Sequence, residues 1–287
     1  MTREIGVGII GTGFMGKAHA FAYQAVSGIF PLELRPVLEI VADNDREAGA
    51  RAHRQLGFKR VTEDWRELVA DPAIGIVSIT TPNIVHREMA LAAIAAGKHV
   101  HCEKPIAPDA EAARDMMEAA ETAGVVTQVG YNYIKNPLLA LARDMIAAGE
   151  LGDITGFRGI HAEDYMADPQ VPWSWRVDPR GGGGAIADLG SHIIGMARFL
   201  IGPIAEVFAE LETVVKSRQV TQGSLASRSR ARRGRSSSRR SASTSSCIAA
   251  RVATRVMRAS RASKPGRLML LTGSSALRQV TSSASTT

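Results

Sequence analysis

Cysteine is almost missing from this chain of 287 residues, which has only Cys102 and Cys247. Two thiols build no disulfide framework, so a reducing cytoplasm is the expected home. Long hydrophobic runs are missing as well. No segment approaches the roughly eighteen uncharged apolar residues that span a bilayer. Met1-Thr2-Arg3-Glu4 leads straight into a predicted strand without the apolar run of a signal peptide, and a soluble protein is expected. The sharpest absence is local: residues 216–287 contain no Asp, Glu, Phe, Tyr or Trp. Sixteen of the 35 basic residues lie there, which leaves 19 basic against all 28 acidic residues in 1–215. The formal charge of +7 is therefore the sum of a body at −9 and a tail at +16. Serine shifts in the same place, from four residues before 216 (Ser27, Ser78, Ser174, Ser191) to 18 after it.

What is present in the first 215 residues is enough for a nucleotide-binding domain and part of another. From Ile5 to about Val129, short apolar runs alternate with longer amphipathic ones, the pattern of a parallel sheet covered by crossover helices. Strands are predicted at Ile5 to Ile10, Val37 to Ala42, Arg60 to Val61, Ile74 to Ile79, His99 to Cys102 and Val125 to Val129. Helical stretches include Glu88 to Ala96 and Ala110 to Ala123, ended by Gly97 and Gly124, and a helix from Asn136-Pro137 to Ala148 that Gly149 stops. The fold class is α/β: a doubly wound domain over 1–130, then a partial α+β domain over 131–215 with an incomplete mixed sheet. In the second part, strands are predicted over Ile154 to Ala162 and Ile204 to Val215, enclosing a helix with Asp188 and His192. In the last strand Val207, Ala209, Leu211, Thr213 and Val215 share the face to be buried. Ser227 to Ser246 offers almost no apolar residues at period two, so only the runs near Cys247 to Val256 and Leu268 to Leu271 can pack.

Gly11, Gly13 and Gly16 follow the first strand and open a helix, the context that makes this glycine spacing a dinucleotide cradle. Gly11 permits a tight turn, Gly13 lets the backbone approach a pyrophosphate, and Gly16 allows helix to pack on strand. Thr12, Phe14 and Met15 complete the segment that would surround the phosphates, facing the positive end of the helix. Asp43 ends the second strand, where a carboxylate accepts hydrogen bonds from a ribose, while Asp43 and Asp45 would repel a 2′-phosphate. NAD is expected over NADP, with Arg46 the residue that would favour the phosphate. Asp43 can also be read as a helix cap. Thr81, Pro82 and Asn83 follow the strand Ile74 to Ile79, at the edge where such sheets bind ligands, or form a plain turn with Asn83 as the cap.

Glu103-Lys104-Pro105 follows the next strand, with Pro105 holding Lys104 extended. A lysine there can hydrogen-bond a substrate hydroxyl and stabilise negative charge on oxygen, or can be a solvated surface charge. Asp188 and His192 stand four residues apart, on one face of a helix. A neutral imidazole can take a hydroxyl proton while the carboxylate orients it; alternatively, the pair only holds the helix in place. No metal site is expected, since His99-Val100-His101-Cys102 lacks further ligands at metal spacing.

The glycine motif, Thr81-Pro82-Asn83, Glu103-Lys104-Pro105, Gly130-Tyr131-Asn132-Tyr133 with Asn136-Pro137, and Asp188 with His192 occur in order. Over residues 4 to about 215 the chain resembles the Gfo/Idh/MocA oxidoreductases. The resemblance implies NAD(P)-dependent oxidation or reduction of a secondary hydroxyl on a sugar, inositol or related polyol. It implies Lys104, Asp188 and His192 as the catalytic trio, with His192 the general base. Glu103 and Lys104 would also touch the cofactor. Tyr131, Tyr165 and Trp175 would contact substrate, although the aromatic residues of 163–176 can equally be packing. The family also implies a homo-oligomer.

At Lys216 the pattern departs from the family, whose members continue through more strands of a large mixed sheet. The abrupt loss of acidic and aromatic residues reads as translation in a shifted frame. The rival reading is a basic tail, centred on Arg228 to Arg240, that binds nucleic acid through phosphates. The switch interrupts a sheet instead of following a finished domain, which favours the shifted frame. Residues beyond about 216 are then expected to be disordered or poorly packed. Besides an active dehydrogenase, the alternatives are an NAD-binding but catalytically impaired homologue and a basic-tailed nucleic-acid-binding protein.

Overall fold

The computed structural model describes residues 3–220 and the backbone of four further strand segments, 242–243, 252–253, 267–272 and 276–279. Two compact units divide the chain: Met1–Gly130 with Arg180–Gly182, and a second that takes up Tyr131–Pro179 and resumes at Gly183.

The first unit is built on six parallel strands: β1 (Arg3–Ile10), β2 (Leu34–Ala42), β3 (Arg60–Thr62), β4 (Ile74–Ile79), β5 (His99–Cys102) and β6 (Thr127–Val129). Their order is β3-β2-β1-β4-β5-β6. Between them run α1 (Phe14–Ile29), α2 (Arg46–Leu56), α3 (Trp65–Ala70), α4 (His86–Ala95) and α5 (Ala110–Ala123). Alternate residues of a strand face opposite ways. Ile9 thus packs in one core with Val7, Ala20, Val41, Leu56 and Phe58, while Ile10 packs in another with Leu68, Ile79, Met89, Ala93 and Met116. Burial of both faces explains why these strands read as nearly continuous apolar runs, each large side chain contributing about 1.5–3 kcal/mol. Aspartates begin three of the helices: Asp45, Asp64 and Asp109 accept backbone N–H bonds at the starts of α2, α3 and α5. Strand order reverses between β1 and β4, so the loops after them flank the crevice where sheets of this kind bind ligands.

In the second unit, α6 (Pro137–Ala147) starts at Asn136, whose side chain accepts the Leu138 N–H, with proline in the first turn. It is followed by β7 (Ile154–Ile160) and α7 (Ser191–Leu200). Leu139, Ala142, Phe157, Ile193, Ala197 and Leu200 form their core. Then come β8 (Phe208–Ala209), β9 (Ser217–Arg218), β10 (Ala242–Ser243), β11 (Val252–Ala253), β12 (Arg267–Thr272) and β13 (Ala276–Gln279). β12 lies parallel to β7 and antiparallel to β13, while β8 pairs with β11 and β9 with β10.

Two expectations change here. The strand predicted over Ile204 to Val215 shrinks to Phe208–Ala209. On its supposed inner face Val207 is 70% and Leu211 66% exposed, and only Val215 is buried. Alternation names a face, but a strand also needs a partner along its length, and β8 meets only the two residues of β11. The composition break at 216 is also not where packing stops. Arg218 is 3% exposed, and its guanidinium donates to the carbonyls of Met166 at 2.5 Å, Asp168 at 2.9 Å and Val171 at 2.8 Å. The Trp173 N–H donates to the Gln219 carbonyl at 2.8 Å. The Leu268 to Leu271 run lies within β12. The arginine-rich core Arg228 to Arg240, expected to be disordered, lies outside the described residues.

Candidate active site

β1 ends in the glycine turn. Gly11 has φ +98°, open to glycine at little cost, and a Cβ on Gly16 would collide with the Gly11 carbonyl oxygen. A Cβ on Gly13 would meet nothing within 4 Å. The first turn of α1 has neither a side-chain cap nor an acidic residue, so its N–H groups and dipole suit an anion. Asp43, at the end of β2, accepts from the Thr12 N–H at 2.9 Å, the Thr12 hydroxyl at 2.5 Å and the Asp45 N–H at 2.9 Å. It does not cap α2, because Asp45 does. Arg46 points its Nε to Glu63 at 3.6 Å.

The loop after β4 is tied to that turn: the Thr80 hydroxyl donates to the Ile10 and Gly11 carbonyls, each at 2.9 Å. Thr81 and Pro82 follow, and Asn83 opens a short 3-10 turn with 4% exposure. The residue at the start of α4 is Val85, so Asn83 is not its cap. His86, which motif reading passed over, is completely buried. Its Nε2 lies 2.9 Å from the Thr81 carbonyl and its Nδ1 3.1 Å from the Pro105 carbonyl. One imidazole thus fastens the Thr81 loop to the Lys104 loop, and burial lowers its pKa, against those contacts.

After β5 comes Glu103-Lys104-Pro105, with the Lys104–Pro105 bond cis. Lys104 is partly buried. Glu103 is 5% exposed. Its Oε1 meets His19 Nε2 at 3.0 Å and its Oε2 accepts the Lys104 N–H at 3.2 Å. His19 Nδ1 meets the Ser78 hydroxyl at 2.7 Å, and the ring stacks on His101 with centroids 4.3 Å apart. Burial alone would raise the Glu103 carboxyl, but the His19 bond and charge, with Lys104 beside it, hold it below the usual range. Gly130 makes the room, since a Cβ there would lie 2.5 Å from Oε1. Glu103, expected at the cofactor, is thus engaged in the interior. The Ser78–His19–Glu103 line resembles a hydrolytic triad in residue types, but with Ser78 at 0% exposure it can only be structural.

In the second unit, Asp188 lies in a π-turn (Ile186–Gly190) that runs into α7 at Ser191, a local widening often found at functional sites. Its Oδ2 accepts the Tyr165 hydroxyl and lies 3.7 Å from Arg176 Nε. Burial and the carboxylate together raise the Tyr165 phenol. Arg176 covers the Trp175 ring at 4.6 Å. Tyr165, Arg176 and Asp188 line a cavity of about 30 Å³, room for one water and not for a sugar ring. His192, 7% exposed, is surrounded by rings. Tyr133 meets it edge-on at 4.8 Å and Tyr131 at 6.0 Å, while His161 stacks on it at 5.3 Å. His161 carried no signal in the motifs; it falls inside the strand predicted over Ile154 to Ala162, and the observed β7 ends one residue before it.

Comparison with known proteins agrees with this architecture. Residues 5–131 match the family described as an oxidoreductase family with an NAD-binding Rossmann fold, and 139–233 match the GFO/IDH/MocA C-terminal domain. The second match runs past Lys216. The chain is 42% identical over 223 residues to levoglucosan dehydrogenase of Pseudarthrobacter phenanthrenivorans, covering 77% of this chain and 57% of that protein. It is 31% identical over 198 residues to an NADP(+)-dependent scyllo-inositol 2-dehydrogenase of Bacillus subtilis, covering 69% and 52%. The solved structure of a levoglucosan dehydrogenase with NADH and levoglucosan superposes with a TM-score of 0.72 at 39% identity, covering 78% of this chain and 61% of that one. The chain thus spans between about half and three fifths of these relatives' length. With both parts of the family pattern matched in order on a Rossmann-like α/β fold, the chain belongs to the Gfo/Idh/MocA oxidoreductases.

Proposed function

We propose that the protein transfers a hydride between NAD and a secondary hydroxyl of a sugar, inositol or related polyol. The observation that carries this reading is the turn at the strand-order reversal. There an uncapped helix start faces open space at Gly13, and a carboxylate is fixed beside it by Thr12. Gly11 through Gly16 would hold the pyrophosphate and Asp43 the adenosine ribose. Thr81, Pro82 and Asn83 would line the rest. NAD is favoured over NADP because Asp43 would repel a 2′-phosphate and Arg46 is turned to Glu63.

Nicotinamide supplies hydride acceptance or donation when bound. In the oxidising direction the Lys104 ammonium hydrogen-bonds the reacting hydroxyl oxygen and stabilises its negative charge. His192 takes the hydroxyl proton as the carbonyl forms. Asp188, steadied by Tyr165 and Arg176, fixes the start of the helix that carries His192. Tyr131, Tyr165 and Trp175 are assigned to the substrate side. The first substrates to try are anhydrosugars and inositols, after the relatives, and the cytoplasm is the compartment a chain this poor in cysteine fits.

NADH titration by fluorescence, followed by a polyol panel, tests the reading. His192→Ala and Lys104→Ala should each lower kcat at least ~10²-fold with NADH affinity nearly unchanged. Near-normal turnover in either variant removes that residue from the mechanism. Saturable NADH binding without turnover of any polyol would favour a catalytically impaired homologue, the reading the residue composition after 216 supports. No saturable binding would end both.

A further inference from the structure

His19 lies on the buried face of α1, three residues after Gly16, so the helix that opens at the glycine turn carries an imidazole in among the strand ends. Both ring nitrogens are engaged: Nδ1 meets the Ser78 hydroxyl at 2.7 Å and Nε2 meets Glu103 Oε1 at 3.0 Å. An ionised carboxylate only accepts, and the Glu103 carboxyl is held below its usual range, so the hydrogen of this contact sits on Nε2. With Oε1 fixed by His19, the direction of the other oxygen follows, and Oε2 accepts the Lys104 N–H at 3.2 Å. The Glu103 backbone is anchored as well, its N–H donating to the Ile79 carbonyl at 2.9 Å. One residue past Lys104, the Pro105 carbonyl lies 3.1 Å from His86 Nδ1. The backbone of the lysine is thus gripped on both sides by buried imidazoles, one of them acting through a carboxylate.

We propose that His19 is a positioning residue for Lys104: by donating to Glu103 it locks the carboxylate that holds the lysine N–H, and so sets where the ammonium meets the reacting hydroxyl. This rests on the role proposed above for Lys104. Ser78, His19 and Glu103 are all buried and closed to substrate, so the line acts by placement alone. A buried imidazole–carboxylate pair is weak evidence for stability, since apolar packing of the same volume does as well. What apolar packing does not supply is an acceptor aimed at one backbone N–H. The His19 ring also stacks on His101, with centroids 4.3 Å apart, and that contact is packing, separate from the bond at Nε2.

Two substitutions separate the bond from the ring. Gln puts an amide N–H near the place of Nε2, whereas Asn puts its amide near Nδ1 only; both remove the ring and its stack. In the full-length chain, hydrogen exchange of the Lys104 amide, followed by NMR, should quicken about tenfold or more in His19→Asn, the scale of one charge-assisted hydrogen bond. In His19→Gln it should stay within about threefold of the unmodified chain. On a polyol that the unmodified chain turns over, kcat should fall roughly tenfold or more in His19→Asn and recover in His19→Gln. NADH affinity should hold within about twofold in both, whereas a merely structural loss would loosen α1 and weaken NADH too. Equal Lys104 exchange in the two variants overturns the proposal, because the ring alone would then account for any change. Should either variant fail to fold, the unmodified chain decides: long-range 1H–15N spectra should show the hydrogen on His19 Nε2, and a ring protonated at Nδ1 alone overturns the proposal. A chain that shows the Lys104 amide response but turns over no polyol keeps His19 in its role and loses the proposed function. Turnover that falls in Lys104→Ala, while His19→Asn leaves both kcat and the amide unmoved, does the reverse.

Discussion

Asp43 already receives three hydrogen bonds from its own chain, from the Thr12 N–H, the Thr12 hydroxyl and the Asp45 N–H. A carboxylate offers about four acceptor sites, so roughly one remains for a ribose hydroxyl. Asp43→Ala should therefore weaken NADH about tenfold, the scale of one charge-assisted hydrogen bond, and NADPH less. Fluorescence titration of both cofactors measures this, and an unchanged ratio would leave Asp43 as a fastener of Thr12 only. His101 makes a second prediction. Burial, with His19 beside it, pushes its pKa from 6.5 to about 4. The unfolded chain then takes up a proton near pH 6.5 that the fold refuses until about pH 4. The stability His101 contributes is full above the unfolded value and is lost as pH falls through that window. Urea unfolding at pH 7, 6, 5 and 4 should show the decline, and His101→Gln should flatten it. An equal slope in both proteins would rule His101 out as its source.

At the scale of elements, β1, the glycine turn and α1 act as one unit because Gly16 sits against the Gly11 carbonyl. Gly16→Ala forces the helix start away from the strand. The expected cost is ~1–3 kcal/mol, typical of overpacking, together with weaker NADH binding, since the N–H groups that face the phosphates move with the helix. Chemical denaturation read alongside NADH titration checks this, and normal values for both would mean that α1 tolerates the shift. The sheet elements of this unit were legible in the sequence. β4, β5 and α5 have the predicted bounds, and Ile5 to Ile10 is extended by two residues at its start. Burial on both faces leaves an apolar signature that a single alternating run lacks, which is why Ile204 to Val215 misled while Ile74 to Ile79 did not.

For the whole molecule, the charge is split as sharply as the composition. Residues 1–220 carry a net −7, the −9 of the body with Lys216 and Arg218 added, while the full chain carries +7. At pH 7 the full chain should bind a cation exchanger and a fragment ending at residue 220 an anion exchanger. Retention of both on one resin would show that the two charge blocks neutralise each other.

The sequence by itself determined the fold class, the order of the strands' carboxyl-end loops and the family, because apolar periodicity and glycine spacing are local consequences of backbone geometry. Residues whose role depends on partners distant in the chain were decided only by tertiary structure. His19 reaches across 84 positions to Glu103, His86 joins two loops, and His161 stacks on His192. Arg218, in a stretch whose composition looks foreign, is buried on three carbonyls. A lone histidine or arginine has no period to announce it, and what it does depends on which donors and acceptors the fold brings within about 3 Å.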